Sequence, residues 1–392
     1  LVSCRAPRKA ATAAGRASVP YPDVTVLQGD PSLPDAVKRG GQFNAEDHET
    51  VARMRGALEK LTDYRFSYLD RHESLISRLR RDPPTFVLNL CDEGFANDAR
   101  KELHVPALLE LFDVPYSGAG PLALGLCYDK ALVSAIAQSL EIPVPYETYS
   151  DSSDHVATLP SVFPALVKPV CGDSSVGITK QAVVNSAEEL VGRVAALERL
   201  LPGHPLLVQE FLNGPEYSVG IIGNPGLSHT VLPMLEVDYS GLEPGLPRIL
   251  SYESKWEPES PYWSQISYVE SNAAPEVKNR MVDASLALFQ RLGCRDYARF
   301  DFRAGADGEP KLLEVNPNPG WCWDGKLNLM ASFAGHSYSD LLRWIIEAAQ
   351  ERISAERSGR SVEKASDDRR VAQTASRREA TRSAGVRAQS SA

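Results

Sequence analysis

A parallel α/β unit followed by a larger α+β unit is the fold class predicted by this 392-residue chain. Two patterns and one proportion carry that reading. Between residues 23 and 120, strand-like and helical runs alternate, which predicts a parallel sheet with helices on its faces. Beyond about residue 125 the chain turns mostly to strand pairs joined by short turns. Hydrophobic residues make up 43% of the chain, enough for ordinary buried cores in two or three domains of about 150 residues each.

Taken in order, residues 1–22 carry Arg5, Arg8, Lys9 and Arg16 with several Ala and Ser and no acid. That composition suits a transit peptide or its remnant, with a disordered leader as the other reading; a start on Leu fits an incomplete or processed end. "DVTVLQGD" predicts a first strand closing in a Gly turn. "HETVARMRGALEKL" places Val51, Met54, Leu58 and Leu61 at helical spacing, and "YRFSYLD" and "TFVLNLCD" read as strands. Parallel sheets bind ligands beyond the carboxyl ends of their strands, so "CDEG" at 91–94 lies either in a site or in a helix-capping loop. "VPALLELFDVPYSGAG" gives a short helix, a Pro-led turn and a Gly-rich loop.

A boundary is expected near residue 125. "CYDKALVSAIAQSL" is a helix led by Asp129 and Lys130, and "PALVKPV" and "GITKQAVV" flank a glycine–serine turn. Asn213-Gly214 between "PLLVQEFL" and "PEYSVGIIG" is the strongest short hairpin signal in the chain. "PEVKNRMVDASLALFQRLG" is a helix closed by Gly293. Residues 354–392, rich in Ser, Ala, Arg and Glu and poor in large apolar residues, are expected to be disordered.

The most informative stretch is "CRDYARFDFRAGADGEPKLLEVNPNPG". If Asp307 and Gly308 centre its turn, Asp301 faces Glu314 and Arg299 faces Asn316, with Phe300, Phe302, Leu313 and Val315 as the apolar alternates. Like charges opposed across a ladder destabilise it. Two carboxylates and an amide oxygen beside an arginine therefore suggest a hard cation, and magnesium takes one or two carboxylates plus substrate phosphates. The alternative is a polar sheet face in which Arg299 pairs with Asp301 or Glu314. In "FPALVKPVCGDSSVGITK", backbone N–H groups of the Gly/Ser turn form a nest for phosphate oxygens and Lys168 adds a point charge, although the same stretch also reads as an ordinary hairpin turn. No G-x-x-x-x-G-K-[ST] motif occurs, which disfavours a P-loop fold.

Bulk properties narrow the class. A net charge of −9 argues against a nucleic-acid binder, and no apolar run is long enough to span a bilayer. Six scattered cysteines without a C-x-x-C pair, and histidines without zinc-like spacing, point to free thiols in a reducing compartment.

In this order, "VPALLELFDVPYSGAGPLALGLCYDKAL", "FPALVKPVCGDSSVGI", "LLVQEFLNGPEYSVGI", "SYESKW", "LGCRDYARFDF" and "LLEVNPNPG" resemble the ATP-grasp superfamily and, within it, the D-alanine-D-alanine ligase group. They span most of residues 105–345. The resemblance implies a Rossmann-like pre-ATP-grasp domain over 23–125 and a two-lobed ATP-grasp domain over 126–350. It implies that Lys130 and Lys168 contact ATP phosphates, that Ser174 and Ser175 lie in the phosphate loop, and that Gln209, Glu210, Phe211 and Leu212 hold adenine. Glu216 would bind the ribose hydroxyls and Lys255 would reach the terminal phosphate. Asp301, Glu314 and Asn316 would bind magnesium, or manganese in its place. Arg299 with the backbone of Gly320 would stabilise a tetrahedral intermediate. The implied reaction is ligation: a carboxylate takes the γ-phosphate to give an acyl phosphate, and an amine displaces phosphate to form an amide.

The substrate half departs from the group's pattern. "QGDPSLPDAV" stands where a Gly-rich, Glu-containing loop is expected, and "NLCDEGFANDARKELHVP" replaces an H-G-x-x-G-E-D-G loop. Trp256 stands for the lid tyrosine, and Gly325 for the serine that holds the second D-alanine. Trp321 and Trp323 are either acceptor-pocket walls or buried structural residues, and Asp92, Glu93 and Arg100 either substrate contacts or solvated charges. The resulting expectation is a carboxylate–amine ligase acting on a small amino acid or peptide other than D-alanine. The alternatives are an authentic D-alanine ligase with a divergent pocket, or a nucleotide-binding protein without turnover. The cytoplasm or an organelle is the expected location, with no nucleic-acid or membrane partner, and ligases of this group are commonly homodimers.

Overall fold

In a computed structural model, residues 19–150, 162–172 and 175–359 are described. The first unit is a parallel three-stranded sheet in the order β2-β1-β3, with β1 at Asp23–Leu27, β2 at Arg65–Leu69 and β3 at Val87–Asn89. Helices α1 (Ala45–Leu58) and α2 (His72–Arg81) make the crossovers. Asn44 caps α1 through the backbone N–H groups of Glu46 and Asp47, and the Asp47 carboxylate returns to Asn44 N, so a capping box fixes where the helix starts. Helices α3 (His104–Leu111) and α4 (Pro121–Cys127) lead into α5 (Lys130–Ser139), which is capped by the Asp129 side chain.

A four-stranded antiparallel sheet follows, in the order β4-β7-β5-β6, from Glu147–Ser150, Leu206–Glu210, Ala165–Pro169 and Val183–Val184, backed by α6 (Ala187–Leu200). A six-stranded sheet completes the chain in the order β11-β10-β8-β12-β13, with β9 also pairing to β8. Its strands are β8 (Glu216–Gly223), β9 (His229–Val231), β10 (Leu235–Asp238), β11 (Ser267–Glu270), β12 (Tyr297–Ala304) and β13 (Pro310–Asn316). Short helices α7 (Glu253–Trp256) and α8 (Pro261–Ser264) stand between β10 and β11. Helix α9 (Pro275–Leu292) starts on Pro and stops at left-handed Gly293. Helix α10 is Lys326–Phe333, and α11 spans 338–359. One apolar cluster joins Val24, Val26 and Leu88 of the first sheet to Trp321, Met330, Leu342 and Ile346, so the first sheet and the six-stranded sheet share a core.

Three expectations are corrected. Asn213-Gly214 does not close a hairpin: β7 and β8 belong to different sheets, and the dipeptide lies in the crossing between them. Gly214 N donates to the Ala304 carbonyl at 3.0 Å, and a Cβ at Gly214 would lie 2.6 Å from that oxygen. Glycine is there for close backbone approach rather than for a two-residue turn. In the β12–β13 hairpin, Asp301 does face Glu314 and Arg299 does face Asn316, but Phe302 faces Leu312, so Leu313 is the extra residue of a β-bulge. Leu312, not Leu313, is the buried alternate. The tail expected to be disordered from 354 is helical through 359. There α11 is anchored by Arg352, which pairs with buried Asp296 at 2.8 Å and with Glu356 at 3.2 Å. Most of the leader (1–18) and the tail from 360 lie outside the described residues.

Candidate active site

The β12–β13 pairing puts Arg299, Asp301, Glu314 and Asn316 on one face, away from Phe300 and Val315. Asp301 is 4% exposed and saturated with donors. Arg299 Nε donates to both its oxygens at 3.0 and 3.1 Å, Arg299 Nη2 adds 3.0 Å, Ser218 Oγ donates at 2.5 Å, and Lys326 Nζ stands 3.6 Å away. Burial works against this carboxylate, but Arg299 and Lys326 outweigh it and hold its pKa well below the usual range. Burial also pushes Glu314 up, and Lys130, Arg299 and Lys255 bring it below its ordinary value. Both acids are therefore charged at neutral pH. Asn316 Nδ2 lies 3.4 Å from Asp301 Oδ2 and 3.5 Å from Glu314 Oε1, so the three side chains converge. The pairing of Arg299 with Asp301, foreseen as the alternative to a cation site, is present alongside this convergence. Two ionised carboxylates supply hard oxygens that fit magnesium with phosphates as the remaining ligands, and Asn316 would join them through Oδ1 with its amide turned from the orientation in which Nδ2 faces both acids.

Glu314 and Asn316 open onto a cleft of about 290 Å³ whose wall also includes Lys130, Lys255, Arg299 and Gly320. Lys130 starts α5 and its ammonium donates to the Gly172 carbonyl of the glycine–serine segment. Ser175 lines the same cleft, takes φ 59° and donates to the Leu250 carbonyl at 3.0 Å; Ser174 lies outside the described residues.

Lys168, Gln209 and Glu216 lie behind that lining. Lys168 on β5 donates to Gln209 Oε1 at 3.0 Å, and Gln209 Nε2 donates to Glu147 at 2.7 Å. Burial and the nearby Lys130 lower the Lys168 pKa to about 8. Glu210 pairs with Lys311, Leu212 is buried, and Phe211 lies under the Arg303 guanidinium at 5.2 Å. Glu216 accepts from Arg303 at 3.2 Å and from the Tyr239 hydroxyl at 2.7 Å.

A second cleft, of about 730 Å³, shares Asp92, Tyr128, Pro169, Cys171, Gly172 and Val176 with the first. It lies where strand ends of the first sheet meet the segment 169–172. Asp92, Glu93, Arg100, Trp256 and Trp321 line it. Trp321 Nε1 donates to the Leu90 carbonyl at 2.8 Å and reaches Asp92 at 3.3 Å, so it is both a buried structural residue and a wall. Trp323 is instead covered by the Arg53 guanidinium, 3.8 Å from its ring. Arg100 stays at the rim on Asp98, 3.2 Å away.

Several functional residues escaped the sequence reading. Lys38 bridges Asp47 at 3.0 Å and Glu93 at 3.3 Å. Ser218 and Lys326 hold Asp301, and Arg303 holds Glu216. Ser218 and Arg303 sit on β8 and β12 and were recoverable from strand pairing, whereas a lone lysine such as Lys38 carries no local signal. The described cysteines form no disulfide with one another. No described helix is long and apolar enough to cross a membrane.

Residues 146–347 match the family model described as the D-ala D-ala ligase C-terminus. An uncharacterized protein of Sinorhizobium fredii is 33% identical over 277 residues, covering 68% of this chain and 75% of that protein. The D-alanine–D-alanine ligase of Aquifex aeolicus is 32% identical over 245 residues, 62% of this chain and 76% of the relative. In fold, the chain resembles the D-alanine–D-alanine ligase of Bacillus anthracis solved with ATP, at a TM-score of 0.62 and 23% identity over 86% of this chain and 99% of that one. With its carboxylate hairpin and its lysine-lined cleft set on this frame, the chain belongs to the D-alanine–D-alanine ligase family.

Proposed function

We propose that the protein joins a small amino acid or peptide, activated at its carboxylate by ATP, to an amine, and that the pair differs from two D-alanines. As a member of this family the chain is an ATP-dependent ligase that forms carbon–nitrogen bonds. One observation carries the finer reading: the lysine-lined cleft and the larger cleft share a wall, so a phosphoryl donor in one and a carboxylate in the other would meet at Asp92, Cys171 and Gly172.

In this reading residues 23–125 supply much of the substrate wall and residues 126–350 hold ATP. Lys130, Lys168, Lys255 and the backbone near Gly172 and Ser175 counter the phosphate charge. Gln209 to Leu212 hold the adenine and Glu216 the ribose. Asp301, Glu314 and Asn316 would hold magnesium, which when bound neutralises phosphate oxygens as charge shifts between them. Arg299 and the Gly320 N–H stabilise the oxyanion that forms as the amine adds to the acyl phosphate. Such transfers rest on positioning and charge, so no protein nucleophile is needed. The rewritten loops around Lys38, Asp92 and Glu93 and the width of the second cleft support a substrate pair other than two D-alanines.

The test is magnesium-dependent release of ADP and phosphate over D- and L-amino acids, singly and in pairs, with mass spectrometry of the products. A new amide mass with a pair other than two D-alanines supports the proposal. D-alanyl-D-alanine as sole product overturns the substrate reading, and phosphate release without an amine requirement overturns the ligation.

A further inference from the structure

The larger cleft contains polar groups that the reaction above leaves unused. Gln28 follows β1 and is 3% exposed, yet neither its Oε1 nor its Nε2 has a hydrogen-bond partner. Buried polar side chains are nearly always bonded, so an orphaned amide marks a place where something else completes the set. In the same cleft Glu93 Oε2 is also buried and unpartnered, while Oε1 faces Lys38 at 3.3 Å. Gly29 permits this: a Cβ at that position would stand 2.5 Å from Glu93 Cδ. The carboxylate thus lies against the main chain beside Gln28, in space that a Cβ at residue 29 would take.

Charge and size narrow the ligand. Glu93 and Asp47 face one lysine, Lys38, while burial and the neighbouring Glu93 push the Asp92 carboxyl up to about 8 so that it adds little charge at neutral pH, and Arg100 at the rim is matched by Asp98. The volume of about 730 Å³ lies in the range of about 300–1,000 Å³ that encloses drug-sized molecules, well beyond alanine.

We propose that Glu93 and Gln28 form the specificity site for a positively charged amino acid or peptide longer than alanine, with Glu93 accepting its ammonium and Gln28 its neighbouring polar group. This rests on the ligase reading in taking the cleft to hold a ligase substrate. Binding, however, is measurable without turnover. The full chain is titrated by calorimetry, with magnesium and a non-hydrolysable ATP analogue present, against the D and L forms of lysine, ornithine, glutamine, norleucine and alanine. Lysine or ornithine is expected to bind at least tenfold more tightly than norleucine or alanine. Glu93→Gln should remove that preference, and Gln28→Met, which leaves the Lys38 ion pair intact, should weaken the preferred ligand severalfold. Equal binding of norleucine or alanine, preferred binding of glutamine, no binding by any probe, or wild-type selectivity in both variants overturns the proposal. Selective binding without amide formation would leave this site standing and overturn the ligase reading alone.

Discussion

Arg299 is held by Asp301 through three contacts of 3.0 to 3.1 Å, and it also lines the lysine-lined cleft. The oxyanion-donor role proposed for it predicts a split between binding and chemistry. Arg299→Ala should lower product formation by about 10²–10³-fold, the usual loss for one such donor, while ATP affinity changes by less than about fivefold. Calorimetric ATP binding beside single-turnover product formation measures both, and a collapse of ATP binding would make Arg299 a nucleotide ligand instead. Lys168 gives a pH prediction. Its pKa is lowered to about 8 by burial and by Lys130, so in the free protein it loses its proton as pH rises through 8. Only the charged form attracts phosphate, so ATP affinity should fall between pH 7 and pH 9. Lys168→Arg, which stays protonated over that range, should flatten the profile even if its affinity at pH 7 is lower. An equal slope in both proteins would remove Lys168 from phosphate binding.

Elements show where a local pattern suffices and where it does not. Gly214 lies in the crossing from the four-stranded to the six-stranded sheet, with its missing Cβ 2.6 Å from the Ala304 carbonyl. Gly214→Ala forces the two backbones apart and should cost about 1–3 kcal/mol, read from urea unfolding with an unchanged slope. A cost below about 0.5 kcal/mol would mean that the crossing is soft. The dipeptide was misread because Asn-Gly reports a turn, while the sheet joined by the next strand depends on distant pairing. The β12–β13 register was legible at Asp301 and Glu314 because hairpin partners are close in sequence. The bulge at Leu313 was not, because one extra apolar residue leaves the composition unchanged. The carboxylate face was legible from alternation and Lys168 from its place before the Gly/Ser turn, whereas Lys130 and Lys255 were legible only through resemblance. Of the partners of those acids, Ser218 faces Asp301 from β8 and was recoverable only once β8 was paired with β12, whereas Lys326 comes from a helix that no local window contains.

Across the whole molecule, one buried carboxylate ties together segments that are far apart in the chain. Asp296 is fully buried just ahead of β12, the strand that carries Arg299 and Asp301. It accepts from Gly118 N at 2.8 Å, from Asn224 Nδ2 at 3.1 Å, and from Arg352 of α11 at 2.8 Å on each oxygen. Arg352 also donates to the Tyr116 carbonyl at 2.9 Å, so the Gly-rich loop, the β8–β9 turn and the final helix meet on this pair. Removing one member of a buried pair leaves the other uncompensated, which typically costs about 3–5 kcal/mol. Arg352→Met should therefore destabilise by about that amount, and Asp296→Asn by less, because its amide still accepts from Gly118 or Asn224. The double variant should be more stable than the sum of the singles, since it leaves no buried charge without a partner. Thermal unfolding of the four proteins measures the coupling. Additive costs would show that Arg352 is screened by solvent and that packing of Ile345, Ile346 and Ile353 alone docks the helix. Strong coupling would place the alignment of the Gly-rich loop with β12 under the control of α11, and ATP affinity in Arg352→Met should then fall together with stability.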